Sequence, residues 1–238
     1  MPVTYLLTCE HAGNEIPATY APLFKGHEAV LYSHKALDLG ALDLAQAVAA
    51  ETGLPLYVTT ISRLLVEANR SPDHQALFSE YTNSLPAAEK YTLLHTYYFP
   101  HRRQVETAIA AAIATGRQVC QIAVHTFTPV LDGNVRQADI GILFDPARAL
   151  EVTFAQQLEE KLLALNPARQ VLYNSPYAGT DDGLPTYLRK KFPAAAYAGL
   201  ELEINQKFFL SGRPEVWQAL KAELAAAVKA LSDAPTIL

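Results

Sequence analysis

With 238 residues, half of them hydrophobic and 18% charged, the chain has the make-up of a globular protein with a sizeable core, which excludes intrinsic disorder. A net charge of -5 with no basic stripe argues against a nucleic-acid partner. Two cysteines, Cys9 and Cys120, each inside an apolar run, exclude a disulfide framework or a cysteine-based zinc site, and buried reduced thiols suit a cytoplasmic protein. The N-terminus lacks a basic, apolar and small-residue leader pattern, and no apolar run reaches spanning length. A soluble, cytoplasmic protein without a membrane partner is therefore expected.

In chain order, Tyr5 to Thr8 is a short apolar run typical of a buried central strand, and it ends in Glu10 and His11. Pro17 to Pro22 and Gly26 mark a loop. Lys35 to Glu51 reads as an amphipathic helix with Leu37, Ala41, Leu44, Ala45 and Val48 on one face and Gly53 just past its end. Leu56 to Ile61 is a second strand, followed by Leu64 to Val66 and then Glu67-Ala-Asn-Arg-Ser-Pro72. Asp73 to Leu85 is polar and irregular, the pattern of a loop that serves an active site. Pro86 to Gly116 carries a long helical pattern that Pro100 breaks or kinks, with an alanine-rich second half.

Val119 to Val124 is the next buried strand, ending in His125, and Asp139 to Phe144 another. Ala147 to Leu165 reads as a helix with Asp145 as its cap and Pro146 at its first position. Gln170 to Tyr173 is a strand, Thr180 to Gly183 a turn, and Leu184 to Phe192 a short helix. Tyr197 to Ile204 is a strand carrying Glu201 and Glu203, and Pro214 to Leu231 an amphipathic terminal helix. Strands alternating with helices imply a mainly parallel sheet covered on both faces, within a single α/β domain over residues 1–238.

Two histidines, His11 and His125, each close an apolar strand, where ligands gather in open α/β sheets. Glu203 lies on an otherwise apolar strand, where a carboxylate is costly to bury unless paired, near a metal or protonated. Asn69-Arg70 supplies a guanidinium fork suited to a carboxylate. Histidines plus a carboxylate are the ligand set of a catalytic zinc, and a further glutamate can handle protons. These residues leave three readings open: a metal hydrolase, a non-metal α/β enzyme and a binding protein.

Four stretches stand in order: Cys9-Glu-His-Ala-Gly-Asn14, Ser62-Arg-Leu-Leu-Val-Glu-Ala-Asn-Arg-Ser71, Val124-His-Thr-Phe-Thr-Pro-Val-Leu131 and Gly199-Leu-Glu-Leu-Glu-Ile-Asn-Gln206. Together they resemble the N-formylglutamate amidohydrolase family over nearly the whole chain. The resemblance implies a phosphorylase/hydrolase-like three-layer sandwich, similar to the zinc carboxypeptidases and aspartoacylases, with a mainly parallel mixed sheet. It implies hydrolysis of an N-formyl or other small N-acyl amide of an acidic amino acid. For N-formylglutamate the products are formate and glutamate, late in one route of histidine breakdown.

The resemblance further implies one zinc per chain on His11 and His125, with Asp38 as third ligand and Glu15 as the alternative. It makes Glu203 the general base, with Glu201 its nearest competitor; strand alternation puts both on one face. It makes Asn69 and Arg70 the anchor of a small anionic N-acyl amino acid. Glu67, where the motif usually has aspartate, would orient His11.

Arg63 and Arg136 are further candidates for the anion site, against readings as a surface salt bridge and a solvated loop residue. His27, His34, His74, His95 and His101 read mostly as surface or capping residues. Asp181 and Asp182 read as a turn, which the resemblance implies lies near the site mouth, Tyr97 and Tyr98 as core packing, and Tyr177 as a weak candidate for oxyanion help. Nothing in the composition fixes the number of subunits.

Overall fold

The first apolar run forms β1 (Val3–Cys9), whose last five residues are buried. It sits between β2 (Leu56–Val58) and β3 (Gln118–Phe127), both parallel to it. The computed structural model, which describes residues 1–234, continues the sheet through β6 (Ile140–Leu143), β7 (Val171–Tyr173) and β8 (Tyr197–Asn205). The strand order is β2-β1-β3-β8-β6-β7. Only the β6–β8 pairing is antiparallel, so the sheet is the expected mixed, mainly parallel one.

Helices cover both faces, which is why the inner strands are apolar throughout. On one face α1 (Ala41–Thr52), α4 (Ala149–Leu165) and α6 (Pro214–Ser232) pack on Tyr5, Leu7, Ile122, Leu200 and Leu202. On the other, α3 (Phe99–Ala114) and α5 (Leu184–Arg189) pack on Leu6, Val119 and Tyr197. A separate apolar cluster, including Phe24, Leu65, Leu77 and Tyr98, holds the long loops together. Among the described residues no helix is long and apolar enough to cross a membrane. Cys9 and Cys120 are buried free thiols.

Several expected boundaries move, each for a local reason. The helix expected from Lys35 starts at Ala41, because Gly40 adopts φ 84° at its cap and leaves Asp38 in the loop before it. The second strand stops at Val58, and Ile61 makes only an isolated bridge to Glu15. The long helix is α2 (Ala87–Leu93), a π-helical turn (Leu94–Tyr98) and then α3, with Pro100 in the first turn of α3. The wider turn falls where the missing proline N–H interrupts the ladder. The helix expected from Ala147 begins at Ala149 with Arg148 at its cap, while Asp145 Oδ1 accepts only the Ala147 N–H, 2.9 Å away. The helix from Leu184 ends at Arg189.

Two departures shape the site. β3 runs on to Phe127, so His125 lies within the strand rather than after it. A short hairpin, β4 (Val130–Leu131) with β5 (Asn134–Val135), has no counterpart in the sequence reading; its strands are too short to show alternation.

Gly40 is needed both for its positive φ and for space, since a Cβ there would lie 2.9 Å from Phe209 Cδ2. Gly40→Ala should cost about 1–2 kcal/mol from the left-handed backbone alone. Urea unfolding of the variant checks this, and unchanged stability would refute the constraint.

Candidate active site

The sheet presents one polar stripe. Register places Thr8 beside Ala123, Ala123 beside Glu201, and His125 beside Glu203, so these positions share the face that bears Leu6. Toward the carboxyl ends of the strands that face changes from apolar side chains to His125, Glu201 and Glu203, all buried. Loops bring His11, Asp38, Arg63, Asn69 and Arg70 to the same place, around a cavity of about 160 Å3.

At its floor the two imidazoles converge on one carboxylate. Asp38 Oδ2 lies 3.2 Å from His11 Nδ1 and 2.9 Å from His125 Nδ1, and the ring centroids are 4.9 Å apart. The far nitrogens face other acids: His11 Nε2 is 2.5 Å from Glu67 Oε1, and His125 Nε2 is 3.2 Å from Glu10 Oε2. Arg63 backs this arrangement, with Nε 2.6 Å from Glu67 Oε2 and Nη1 3.5 Å from Asp38 Oδ1. It is therefore a partner of two site carboxylates rather than a surface ion pair.

Charge pairing dominates the electrostatics. Burial by itself would raise Asp38, yet the two imidazoles hold it well below the usual carboxylate range. Burial likewise opposes the lowered values of Glu67, held down by Arg63 and His11, and of Glu10, held down by His101 and His125. Burial also works against the raised value of His125, which Asp38 and Glu10 nevertheless push well up. For His11, burial and Arg63 pull down while Glu67 and Asp38 prevail.

The donor set fits a divalent ion. His11, Asp38 and His125 each offer one ligand atom, all within 4.8 Å of one another. Two imidazoles with a carboxylate, each imidazole backed by a further acid on its other nitrogen, is a donor chemistry that suits a metal ion. Glu15 stays outside it: its carboxylate accepts the Thr60 hydroxyl, 2.8 Å away at the exposed surface.

Strand alternation could not separate Glu201 from Glu203, but their partners differ. Glu201 Oε2 accepts from Asn69 Nδ2 at 3.5 Å, and burial raises its pKa. Glu203 Oε2 is buried without a hydrogen-bond partner among the described residues, and burial, with the charges of Asp38 and Glu201, pushes its pKa up to about 8. Asn69 Oδ1 accepts the Leu184 N–H at 2.7 Å. The Arg70 guanidinium donates to the Asp182 carbonyl and makes no ion pair among the described residues. Arg136 donates to the Tyr177 hydroxyl at 2.9 Å and stacks on Phe127 and Tyr177, reaching the cavity only through that tyrosine.

Three residues take a larger part than their sequence context suggests. Glu10 is fully buried beside His125; alternation from Leu6 and Thr8 was the available signal. His101, grouped with surface histidines, is buried with Nε2 3.4 Å from Glu10 Oε1, because its helix packs against the polar face of the sheet. Asp182 is more than a turn residue, since its carboxylate accepts the Ser71 N–H at 2.8 Å and the Ser71 hydroxyl. No local pattern announced that contact, which joins residues over a hundred positions apart. The remaining histidines stay outside the cluster, and His27, His34 and His95 are exposed.

A family model described as N-formylglutamate amidohydrolase matches residues 3–210, a span that includes every residue of the cluster. The chain belongs to this family. As an amidohydrolase it is an enzyme that hydrolyses amide bonds. A gene product of Agrobacterium tumefaciens superposes on it with a TM-score of 0.77 at 29% identity, covering 96% of this chain and 90% of that one. An N-formylglutamate amidohydrolase from Ralstonia eutropha JMP134 shares the fold, with a TM-score of 0.71 at 19% identity over 98% of this chain and 95% of that one. No curated relative matches the amidohydrolase.

Glu203 makes the stability of the amidohydrolase without bound metal depend on pH. The folded protein holds its proton between about pH 4.5 and 8, whereas the unfolded chain releases it, so stability falls as pH rises through that window. Glu203→Gln removes this dependence. Its stability relative to the parent should climb by on the order of a few kcal/mol from pH 5 to pH 8. Denaturant titrations across that range check this, and a flat difference would contradict the raised value.

Proposed function

We propose that this amidohydrolase is zinc-dependent and releases a small N-acyl group from an acidic amino acid, with N-formyl-L-glutamate plus water giving formate plus L-glutamate. The observation that carries the reading is one cavity joining three things: the His11–Asp38–His125 donor set, the unbonded Glu203 oxygen and the unpaired Arg70 cation. At about 160 Å3 the cavity is small beside drug-sized sites of roughly 300–1,000 Å3, which supports a compact substrate. The site thereby favours an enzyme over the binding-protein reading. On this reading the protein acts in the cytoplasm, late in one route of histidine breakdown.

The metal would sit on His11, His125 and Asp38. When bound, zinc polarises the amide carbonyl and acidifies a water. Glu203 accepts the proton of the attacking water and returns it to the leaving nitrogen, as its free Oε2 allows. Its raised pKa falls toward neutral beside added positive charge, which is where a base works best. Glu201, held by Asn69, shapes the field around Glu203 and leaves the proton transfer to it.

Arg70, with the Asn69 side chain beside it, holds the substrate carboxylate; neutral N-acyl analogues are then poor substrates. Arg136 with Tyr177 stands at the mouth as a second clamp for the distal acid. Glu67 still reaches His11 in place of the shorter aspartate, and Arg63 fixes that glutamate from behind. Together they keep the His11 ring turned toward Asp38.

Protein purified without chelator should contain about one zinc per chain by elemental analysis, the closed count of a single donor set. Metal-free preparations with full activity would refute the reading. Glu203→Gln should keep the zinc and lose about 100- to 10,000-fold in kcat. Arg70→Ala should mainly raise KM for N-formylglutamate. Metal binding to stripped protein near neutral pH should release protons from His11 and His125, whose pKa values are raised. Calorimetry in buffers of different ionisation enthalpy reads that release.

A further inference from the structure

Arg102 on α3 is only 1% exposed, and its Nε, Nη1 and Nη2 atoms have no hydrogen-bond partner among the described residues. A guanidinium keeps its charge in proteins, so this is a buried cation without a salt bridge. It is held instead between two aromatic faces, 4.7 Å from the ring centroid of Tyr98 and 4.3 Å from that of Tyr187. Filling space there would need only an apolar side chain, so the charge calls for another explanation.

Both rings belong to elements that grip the Asn69–Arg70 pair. Tyr98 closes the π-helical turn, and its hydroxyl donates to the Arg70 carbonyl at 2.6 Å. Tyr187 lies on α5, whose first backbone N–H, from Leu184, donates to Asn69 Oδ1. The loop entering α5 carries Asp182, whose carbonyl receives the Arg70 guanidinium and whose carboxylate receives Ser71. Tyr98 and Arg102 are four residues apart on one continuous helical segment, so they stack on the same face. π turns recur at functional sites, and here the turn supplies the ring that touches Arg70.

We infer that Arg102 is a positioning residue for substrate binding: stacked between Tyr98 and Tyr187, it clamps the π turn against α5 and so fixes Asn69 and Arg70 in their carboxylate-binding arrangement. The inference rests on the proposed reading of Arg70 as the substrate-carboxylate anchor. Arg102 touches neither substrate nor the metal donors; it acts through the two tyrosines.

The test is a double-mutant cycle on N-formylglutamate with the zinc-loaded enzyme, reading KM, kcat, zinc content and melting temperature. Arg102→Met and Tyr98→Phe should each raise KM about tenfold with kcat changed less than about threefold and zinc content unchanged. Arg102→Lys, still cationic over the rings, should fall between the parent and Arg102→Met. In an Arg70→Ala background most of that rise in KM should disappear, because only Asn69 of the two positioned groups remains. If Arg102→Met lowers the melting temperature and leaves KM alone, Arg102 is structural and the inference is wrong. Effects on KM that multiply with those of Arg70→Ala overturn it as well. If Arg70→Ala itself leaves KM unchanged, the anchor reading fails and takes this inference with it. Should Arg102→Met not fold, Tyr98→Phe, which deletes one oxygen, carries the same comparison.

Discussion

Asp38 Oδ2 lies within 3.2 Å of two imidazole nitrogens that come from distant parts of the chain, and the arrangement of the site follows from that shared oxygen. A carboxylate this deeply buried is tolerable only when its charge is matched. The imidazoles supply that match, and Arg63 adds to it from the far side. Backbone contacts fix the residue in turn. The Asp38 N–H donates to the His11 carbonyl at 3.1 Å, and the Asp38 carbonyl receives the Ala41 N–H at the start of α1. One residue thus ties the loop after β1, the carboxyl end of β3 and the start of α1 into a single object.

Around this node the charges alternate outward. Imidazoles contact Asp38, acids contact the imidazoles, and His101 and Arg63 contact those acids. Such layering orients each ring by its far nitrogen, which leaves the near nitrogens directed at one point. The same layering explains why five buried acids behave in two ways. Asp38, Glu67 and Glu10 have cationic or hydrogen-bonding partners and are held below the usual range. Glu201 and Glu203 are buried with fewer such partners and sit above it.

The loops that close the cavity depend on contacts far apart in the chain. Asn69 and Arg70 take their places from Leu184, Asp182 and Tyr98, each on a different element. The Asn69–Arg70 side of the pocket is therefore built by the loop after β2, the π turn and the start of α5 together. The side that carries His125, Glu201 and Glu203, by contrast, stands on the sheet itself.

Much of this was legible in the residues. Apolar runs bounded by turns gave β1, β3 and β8, and the alternation of helices and strands gave the parallel sheet. His11, His125, Glu201 and Glu203 stood out because polar groups at the ends of such strands are costly without a purpose. Periodicity marks which face a residue takes, but it is silent on distance between segments. Hence only the folded chain could bring Asp38 rather than Glu15 beside both histidines, give Glu201 and Glu203 different partners, join Glu10 and His101 to the charged cluster, and bury Arg102 between two aromatic rings. The sequence determined the strands and the chemistry at their ends. Tertiary structure decided which of those groups meet, because proximity across dozens of residues is set by packing and charge pairing rather than by any local pattern.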